Sequence, residues 1–217
     1  MTDATPQPIW NRPARGSRGP TPAHSRDDIV AAAVALADAN GLNAVSMRAV
    51  AAALGTAAGT LYRYLSSRDD LLDLMTDHAI AELSPYPEAS GGWADTMLLL
   101  GRHQLDLHRR HPWLRDVIHR PTGVGPSALG WFDNCLRVLA PVDCPVQAKF
   151  EAIAMMTGVA TLFARSEASA PAVSFAGIDL ARYPHLTAAF SQPATPAPDQ
   201  DLFERTLRGL LSGLLTP

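Results

Sequence analysis

SMRAVAAALGTAAGTLYRY, residues 46–64, decides the fold, because it predicts two short helices joined by a tight turn. Ser46 is placed to cap the first helix, and Gly55 ends it, since glycine adopts the left-handed backbone conformation at little steric cost. We expect Thr56 to cap the second helix, which continues to the end of the stretch. Ala51, four residues before the glycine, lets the two helices approach closely. The pattern indicates a helix-turn-helix unit, although alanine and glycine at this spacing are common in helical proteins.

The second of these helices carries side chains suited to a nucleic-acid surface. Its first residues, 57–60, are small, and a helix with a small-residue N-terminus can enter the major groove of DNA. Leu61 and Leu65 are four residues apart and are expected to pack inward. The residues between them, Tyr62–Tyr64, then point outward, where hydroxyl and guanidinium groups are suited to phosphate contacts. The alternative is that the tyrosines are amphipathic rim residues and the arginine between them is a solvated charge.

The distribution of charge favours the DNA interpretation. The formal net charge of −3 combines a basic front with an acidic rear. Up to Arg68, seven arginines face four aspartates, whereas from Asp69 onward eleven basic residues face seventeen acidic ones. A basic excess at one end indicates that this end meets a polyanion. Residues 1–24 are rich in proline and arginine, and we interpret them as a disordered basic arm.

The remainder of the chain predicts further helices and no strand. Two Ser-x-x-Asp capping signals, at residues 25–28 and 67–70, start helices before and after the helix-turn-helix unit. Apolar residues do not alternate with a period of two, so we expect an all-α protein. Beyond residue 82, helices are expected at about 93–111, 128–139, 146–167, 185–190 and 199–215.

The stretch GLNAVSMRAVAAALGTAAGTLYRYLSSRDDLLDLM, residues 41–75, resembles the DNA-binding domain of the tetracycline-repressor (TetR) family of bacterial regulators. The similarity covers residues 26 to about 82, and its LYRYL core, with the basic Arg68 four positions after Tyr64, is specific to the family. Two mild departures are Leu65, where the family usually has Phe, and Arg68, where it usually has Lys. The resemblance implies a three-helix helix-turn-helix DNA-binding domain over residues 25–82. It implies phosphate contacts from Ser46, Tyr62, Tyr64 and Arg68 and base contacts from Arg48, Ala58, Gly59, Thr60 and Arg63.

Residues 83–217 are expected to form a larger helical ligand-binding and dimerisation domain. HRRHPWLRDVI, residues 108–118, and FERTLRGLLSGLL, residues 203–215, resemble the corresponding domain of the tetracycline-repressor-like branch. Independently of the resemblance, the last helix has an apolar stripe wider than one neighbour needs, and the long helix before it has a face of small residues opposite Phe150, Ile153 and Leu162. Two such helices from each of two chains would form a four-helix bundle. The expected interface residues are Ala154, Gly158, Thr161, Phe203, Leu207, Leu210 and Leu214.

The same resemblance implies a pocket for a small molecule between the helix that starts at Trp93, the loop around Arg120 and the helix that starts near Ala128. The expected lining is mostly apolar with few polar groups, as in most small-molecule sites. The alternative is a filled core without a cavity. Side chains that would chelate a tetracycline–metal complex are not evident, so we do not expect that drug. The candidate lining residues are Leu100, Gln104, Leu107, His119, Arg120, Phe132, Cys135 and Met156.

No catalytic or metal-binding pattern stands out. A Ser-His-Asp arrangement, a glycine-rich phosphate loop and paired catalytic carboxylates are not evident, so we expect no enzymatic activity. His108 and His111 are near neighbours on a helix, but His103 lies well round it and no carboxylate spacing completes a ligand set. We therefore expect no metal and no cofactor. Two cysteines are too few for a disulfide framework, and no apolar run spans a membrane, so we expect a cytoplasmic protein.

The sequence as a whole favours a ligand-responsive transcriptional regulator, most simply a repressor. We expect it to bind a palindromic operator in double-stranded DNA as a homodimer and to release it when a largely apolar effector binds. Two alternatives stay open at this point. One is an all-α small-molecule-binding protein or enzyme without DNA binding, and the other is a DNA-binding regulator without an inducer.

Overall fold

The computed structural model describes residues 9–12, 24–88, 91–118, 124–168, 178–191 and 201–215. These ranges contain nine α-helices and no strand, which confirms the prediction of an all-α fold. Within the same ranges, no helix combines the length and the apolar character needed to cross a bilayer. His119 and Arg120, two of the expected pocket residues, lie outside the described residues, as does most of the proposed N-terminal arm.

Four helices near the N-terminus form what we call the front unit. They are α1 (Arg26–Asn40), α2 (Met47–Ala53), α3 (Ala58–Leu61) and α4 (Arg68–Ala81). Three of them, α1, α2 and α4, begin where the sequence predicts. The serines that precede α1, α2 and α4 each accept a hydrogen bond from a backbone N–H three residues on, which satisfies a donor that the first helical turn leaves free. Apolar residues of the four helices share one core, which includes Ile29, Val50, Leu61, Leu71 and Met75.

The prediction that Thr56 caps the third helix is wrong. The N-cap is Ala57, which makes no side-chain capping bond, and α3 is a single turn followed by further turns up to Tyr64. The backbone N–H of Thr56 donates instead to the carbonyl of Ala51 at 2.9 Å, because Thr56 still belongs to the turn that Gly55 makes.

The prediction of a disordered N-terminal arm is wrong for residues 9–12. Ile9–Asn11 forms a 3-10 turn that packs against α4, and the Ile9 side chain is buried in the core. Arg12 forms an ion pair with Asp70 of α4, with 2.8 Å between Nη1 and Oδ2. A buried isoleucine and an ion pair supply the contacts that composition alone does not reveal.

Five further helices, which we call the rear domain, follow α4. They are α5 (Trp93–Arg110), α6 (Pro126–Val138), α7 (Val146–Ala168), α8 (Pro184–Ser191) and α9 (Leu202–Leu215). A short 3-10 helix, Pro112–Asp116, follows α5. All five α-helices lie close to the predicted ranges, since each is bounded by proline, glycine or a polar loop.

Helices α5, α7 and α9 pack together as the centre of the rear domain. Gly101 of α5 permits this close approach, because a β-carbon there would collide with the Leu207 side chain of α9. Arg102 on the next position of α5 binds Asp201 at 2.6 Å and Glu204 at 2.9 Å, which fixes the start of α9 against α5.

Candidate DNA-binding surface and ligand cavity

The turn between α2 and α3 has the geometry of a helix-turn-helix. Gly55 has φ +66°, the left-handed conformation that the sequence predicted for it. Ala51 is 2% exposed and lies where α2 and α3 meet. The Ser46 hydroxyl accepts a hydrogen bond from the N–H of Ala49 at 3.1 Å, so this side chain fixes the first turn of α2.

The front unit presents the predicted DNA-contacting residues with different exposures. Arg48, Gly59 and Arg63 are exposed, and Ala58 and Thr60 are half-buried. The two tyrosines differ: the Tyr62 side chain is 57% exposed, whereas Tyr64 is half-buried and packs on the core. The expectation that both rings point outward therefore needs correction, because residues two apart on a helical turn cannot share a face.

Arg68, another predicted phosphate contact, binds the backbone of its own chain. Its Nε donates to the carbonyl of Val45 at 3.1 Å and its Nη2 to the carbonyl of Leu42 at 3.3 Å. These bonds connect the first residue of α4 to the loop that leads into α2. A guanidinium group has five N–H donors, so donors remain with which Arg68 could contact a phosphate.

A cavity of about 300 Å³ lies between α4, α5, α6 and α7. Its wall is mostly apolar and contains three large aromatic side chains, as expected for a site that takes a small organic molecule. The lining residues are Trp10, Asp73, Thr76, Asp77, Ile80, Leu83, Gln104, Leu107, Val117, Ile118, Val124, Gly125, Ala128, Trp131, Phe132, Ala154 and Thr157.

Three of the predicted pocket residues line the cavity and three do not. Gln104, Leu107 and Phe132 are in the wall. The other three, Leu100, Cys135 and Met156, have no exposed surface and lie outside the lining, because they point into packed regions of the rear domain. Burial raises the pKa of the Cys135 thiol to about 12, so this cysteine is neutral and unreactive at physiological pH.

Sequence reasoning missed the contributions of α4 and of the N-terminal segment to the cavity. Asp73, Thr76, Asp77 and Ile80 follow one another at spacings of three, one and three residues, which places them on one side of a helix. That spacing is visible in the sequence and could have identified them. Trp10 lies far from the other lining residues along the chain, and no local pattern indicates its position.

Two lining residues carry buried polar atoms that have no hydrogen-bond partner among the described residues. Gln104 donates from Nε2 to the hydroxyl of Thr157 at 2.9 Å, but its Oε1 accepts no hydrogen bond there. The indole Nε1 of Trp131 likewise has no acceptor within that part of the chain. An unsatisfied buried polar group costs about 1–3 kcal/mol, so both atoms favour a conformation or a ligand that supplies a partner.

Asp77 connects the cavity wall of α4 to the start of α6. Its carboxylate accepts hydrogen bonds from the N–H and the hydroxyl of Ser127, both at 2.9 Å, and from the N–H of Ala128 at 3.2 Å. It therefore caps α6 from another helix. Gly125 lies so close that a β-carbon there would collide with the Asp77 carboxylate.

A second connection joins the front unit to the 3-10 helix that follows α5. His111 is 6% exposed, and its ring nitrogens lie 2.8 Å from Asp38 and 2.9 Å from Glu82. Trp113 also donates to Asp38, at 2.7 Å. Burial of the Glu82 carboxyl acts to raise its pKa, but hydrogen bonds from His111 and Arg110 outweigh it and hold the pKa below its ordinary value.

The histidines noted in the sequence do not form a metal site in the part of the chain that the structure describes. His108 is buried, and its Nε2 lies 3.2 Å from the Thr161 hydroxyl of α7. His111 is held between two carboxylates, as described above, so contacts with other helices account for the positions of His108 and His111.

An apolar strip runs along the exposed side of α7. Phe150, Ala154, Gly158 and Leu162 recur every four residues and are all exposed, with Phe150 at 44% and Leu162 at 60%. Gly158 has no described atom within 4 Å of where its β-carbon would be, and the same holds for Gly209 and Gly213 of α9. We call this surface of α7 and α9 the open face.

Several of the predicted interface residues do not lie on the open face. Phe203 and Leu207 are 2% and 0% exposed within one chain, so they are not free to contact a partner. Thr161 points toward α5, where it meets His108. Phe150 and Leu162 lie on the same side as Ala154 and Gly158, not opposite them, since residues four apart share a helix face. The predicted residues that retain exposed surface are Ala154, Gly158, Thr161, Leu210 and Leu214.

Two protein-family models match this chain. The model for bacterial regulatory proteins of the tetR family matches residues 29–75, which contain α2, α3 and most of α1 and α4. The model for the tetracyclin repressor-like C-terminal domain matches residues 84–217, which is more than half of the chain.

Curated relatives and solved structures agree with the family models. Over 160 residues, 73% of this chain and 59% of the relative, the sequence is 39% identical to the HTH-type transcriptional repressor DrrR1 of Streptomyces coeruleorubidus. A transcriptional regulator of Saccharopolyspora erythraea is 33% identical over 128 residues, which cover 59% of this chain and 54% of that protein. The chain thus spans little more than half the length of these relatives.

Among solved structures, a possible TetR family transcriptional regulator of Streptomyces coelicolor is 25% identical, with a TM-score of 0.69 over 88% of this chain and 98% of that one. ActR of the same organism, crystallised in complex with actinorhodin, has the same fold at 23% identity, with a TM-score of 0.71 over 91% of this chain and 98% of that one. With both parts of the chain matched, the protein belongs to the tetR family of bacterial regulatory proteins.

Proposed function

We propose that the protein is a ligand-responsive transcriptional repressor, which binds double-stranded DNA as a homodimer and is released when a small molecule occupies the cavity. The observation that carries this proposal is the course of α4. Its first residue, Arg68, holds the loop that leads into α2, and four of its later residues line the cavity. A ligand that shifts α4 would therefore also shift the helix-turn-helix unit.

DNA binding would use the exposed side of α2 and α3. Arg48 and Arg63 are exposed and would contact base edges or phosphates, and Gly59 would let the backbone of α3 approach the groove. We assign the remaining predicted contacts to the same surface. Ala58 and Thr60 would face bases, and phosphates would be contacted by Ser46, Tyr62, Tyr64 and the remaining donors of Arg68.

A dimer would form through the open face of α7 and α9. Exposed apolar side chains such as Phe150 and Leu162 favour burial, and Gly158, Gly209 and Gly213 leave room for a second helix to approach. A two-fold dimer presents two recognition units, which read half-sites roughly 34–36 Å apart or a multiple of that distance. The operator would then be a palindrome. A regulator of chromosomal DNA acts in the bacterial cytoplasm, where we place the protein.

The effector would be a largely apolar, aromatic molecule with at least one hydrogen-bonding group. Trp10, Trp131 and Phe132 supply aromatic surface, and the unpartnered Oε1 of Gln104 and Nε1 of Trp131 favour a ligand with a donor and an acceptor. ActR, a protein of the same fold, was crystallised with actinorhodin. That complex supports an organic effector for this fold without identifying the effector of this protein.

Mobility-shift titrations with DNA from upstream of the gene and of its neighbours test the DNA-binding part. Arg63→Ala should weaken binding to the selected fragment by about 1–3 kcal/mol if the side chain contacts a base. Arg182→Ala is the matched control, because it removes an exposed arginine from the rear domain. Equal losses in the two variants, or no specific shift for the wild type, would contradict DNA binding by α2 and α3.

A further inference from the structure

Residues 9–12, which we call the N-terminal segment, contact the front unit and the cavity at the same time. The two family models match residues 29–75 and 84–217, so the segment lies outside both. Neither model therefore describes its contacts.

The backbone of the N-terminal segment is attached to the start of α1. Arg26 donates from Nη1 to the carbonyl of Ile9 at 3.5 Å and from Nη2 to the carbonyl of Arg12 at 3.4 Å. The Ile9 side chain is 3% exposed and belongs to the core. These contacts hold both ends of the segment, so the residues between them have little freedom to move independently.

Trp10, within this attached segment, lines the cavity together with Gln104 and Leu107 of the rear domain. An indole ring offers a large apolar surface and a rigid shape, and such rings often dominate the affinity of a binding site. A molecule that fills the cavity therefore meets Trp10 as part of the wall.

Arg12, two residues further on, reaches the start of α4. Its Nη1 donates to Asp70 Oδ2 at 2.8 Å and to the Ser66 hydroxyl at 3.1 Å. The same carboxylate oxygen accepts the Ser66 N–H at 2.7 Å, and Asp70 is only 8% exposed. Asp70 thus connects Arg12 to the turn that leaves the recognition helix, and a buried carboxylate of this kind is sensitive to loss of its cationic partner.

We infer that the N-terminal segment is part of the effector site and carries a signal from it: the effector contacts Trp10, and displacement of Trp10 weakens the contact of Arg12 with Asp70 and Ser66. Two residues span at most about 7 Å of chain, so a shift of the Trp10 backbone also shifts the backbone of Arg12. This inference rests on the proposed function, since it assigns residues to the proposed effector cavity. It adds a second route from the cavity to the helix-turn-helix unit, through Trp10, Arg12 and Asp70, besides the direct contact of α4 with the cavity.

The test uses the neutral fluorescent probe N-phenyl-1-naphthylamine and an operator fragment selected from random DNA by binding to the full-length protein. Trp10→Ala should weaken probe binding about 10-fold to 100-fold, as truncation of an aromatic side chain in a binding site commonly does. Arg12→Gln should leave probe affinity within about twofold but weaken operator binding several-fold without any probe, because it releases Asp70 and Ser66. Leu107→Trp, which fills the cavity from the rear domain, is the control that should abolish probe binding while the segment stays intact.

The outcomes separate the two proposals. If Trp10→Ala binds the probe like the wild type, or Arg12→Gln binds the operator like the wild type, the inference about the segment is overturned. General destabilisation of the Arg12→Gln variant would weaken the binding of both probe and operator. It therefore does not explain an unchanged probe affinity together with a weaker operator affinity. A wild-type protein that binds no operator, or a Leu107→Trp variant that binds the probe unchanged, would instead contradict the proposed function.

Discussion

Polar side chains in the front unit and in the rear domain join residues at very different distances along the chain. In the front unit, Ser25, Ser46 and Ser67 each bind a backbone N–H three residues away. In the rear domain, Arg102 and Arg109 form ion pairs with residues 99 and 58 positions away. The front unit can therefore form from local signals, whereas the shape of the rear domain depends on contacts that exist only in the folded chain.

Under the proposed function, the few long-range polar contacts of the front unit would carry the signal from the cavity. Arg68 binds the carbonyl of Val45, 23 residues away, and Asp77 caps a helix 50 residues further on. Asp38 meets His111 across 73 residues. Local contacts thus form the helix starts of the front unit, and long-range contacts connect the front unit to the rear domain. The following variants test this division, from the largest expected effect to the smallest.

The proposed dimer would add a contact between two chains, and Leu162→Glu should break it. The side chain is 60% exposed in one chain and belongs to the apolar strip of the open face. A carboxylate buried there without a partner would cost several kcal/mol, so the dimer should dissociate and operator binding should fall by more than about 100-fold. Sedimentation velocity measures the first effect and a mobility shift the second. Leu186→Glu on α8 is the matched control, and an unchanged dimer in Leu162→Glu would place the interface elsewhere.

Loss of the Asp77 carboxylate should destabilise the contact between α4 and α6. Asp77→Ala removes the acceptor of three hydrogen bonds at the start of α6, and we expect a loss of about 1–3 kcal/mol in the free energy of unfolding. Asp77→Asn keeps one acceptor oxygen and should lose less. Urea denaturation of the three proteins provides the comparison, and an Asn variant as unstable as the Ala variant would contradict the capping role.

A local cap should matter less than this long-range one. Ser46→Ala removes the bond to the Ala49 N–H, and we expect a loss of about 1 kcal/mol in the free energy of unfolding. Ligand binding in the rear domain should be unchanged, since nothing in the cavity wall depends on this cap. A change in ligand affinity beyond twofold would show that the front unit is less independent than the local contacts indicate.

The smallest effect concerns acid. The folded-state pKa of Glu82 lies below its ordinary value of 4.5 because of the hydrogen bonds from His111 and Arg110. The Glu82 carboxylate therefore stabilises the folded state above pH 4.5, and this contribution is lost as the pH falls through the folded-state pKa. Because the side chain is 37% exposed, we expect Glu82→Gln to cost less than about 1 kcal/mol at pH 7 and a smaller amount at pH 3. Thermal unfolding at both values measures this, and an equal loss at the two pH values would exclude the carboxylate as its cause.

The difference between local and long-range contacts also explains which features the sequence could predict. The starts of α1, α2 and α4 depend on caps within four residues, so they are readable from short patterns. The predicted start of α3 is one residue too early, because the backbone N–H of Thr56 is hydrogen-bonded within the preceding turn. For the DNA-binding surface, the spacing identified the helices, but the side-chain exposure of Tyr64 depends on packing against the core.

The lining of the cavity was only partly predictable, because it depends on contacts between residues far apart along the chain. Gln104, Leu107 and Phe132 were chosen by resemblance and do line it, whereas Met156 is equally apolar but points into packed core. Periodicity gives the face of a helix, not what that face meets in the folded chain. The position of Trp10 follows from the contact of Arg12 with Asp70, 58 residues apart, which no local pattern contains.

The central claim is that occupancy of the cavity and DNA binding are coupled through contacts between the front unit and the rear domain. A screen for compounds that raise the melting temperature of the wild type but not of Leu107→Trp would select ligands of the cavity. Titration of such a ligand with and without saturating operator then measures the coupling directly. We predict that operator weakens ligand binding by about 5-fold to 150-fold, the range typical of allosteric proteins, and that ligand weakens operator binding by the same factor. Equal ligand affinities with and without operator would contradict the account.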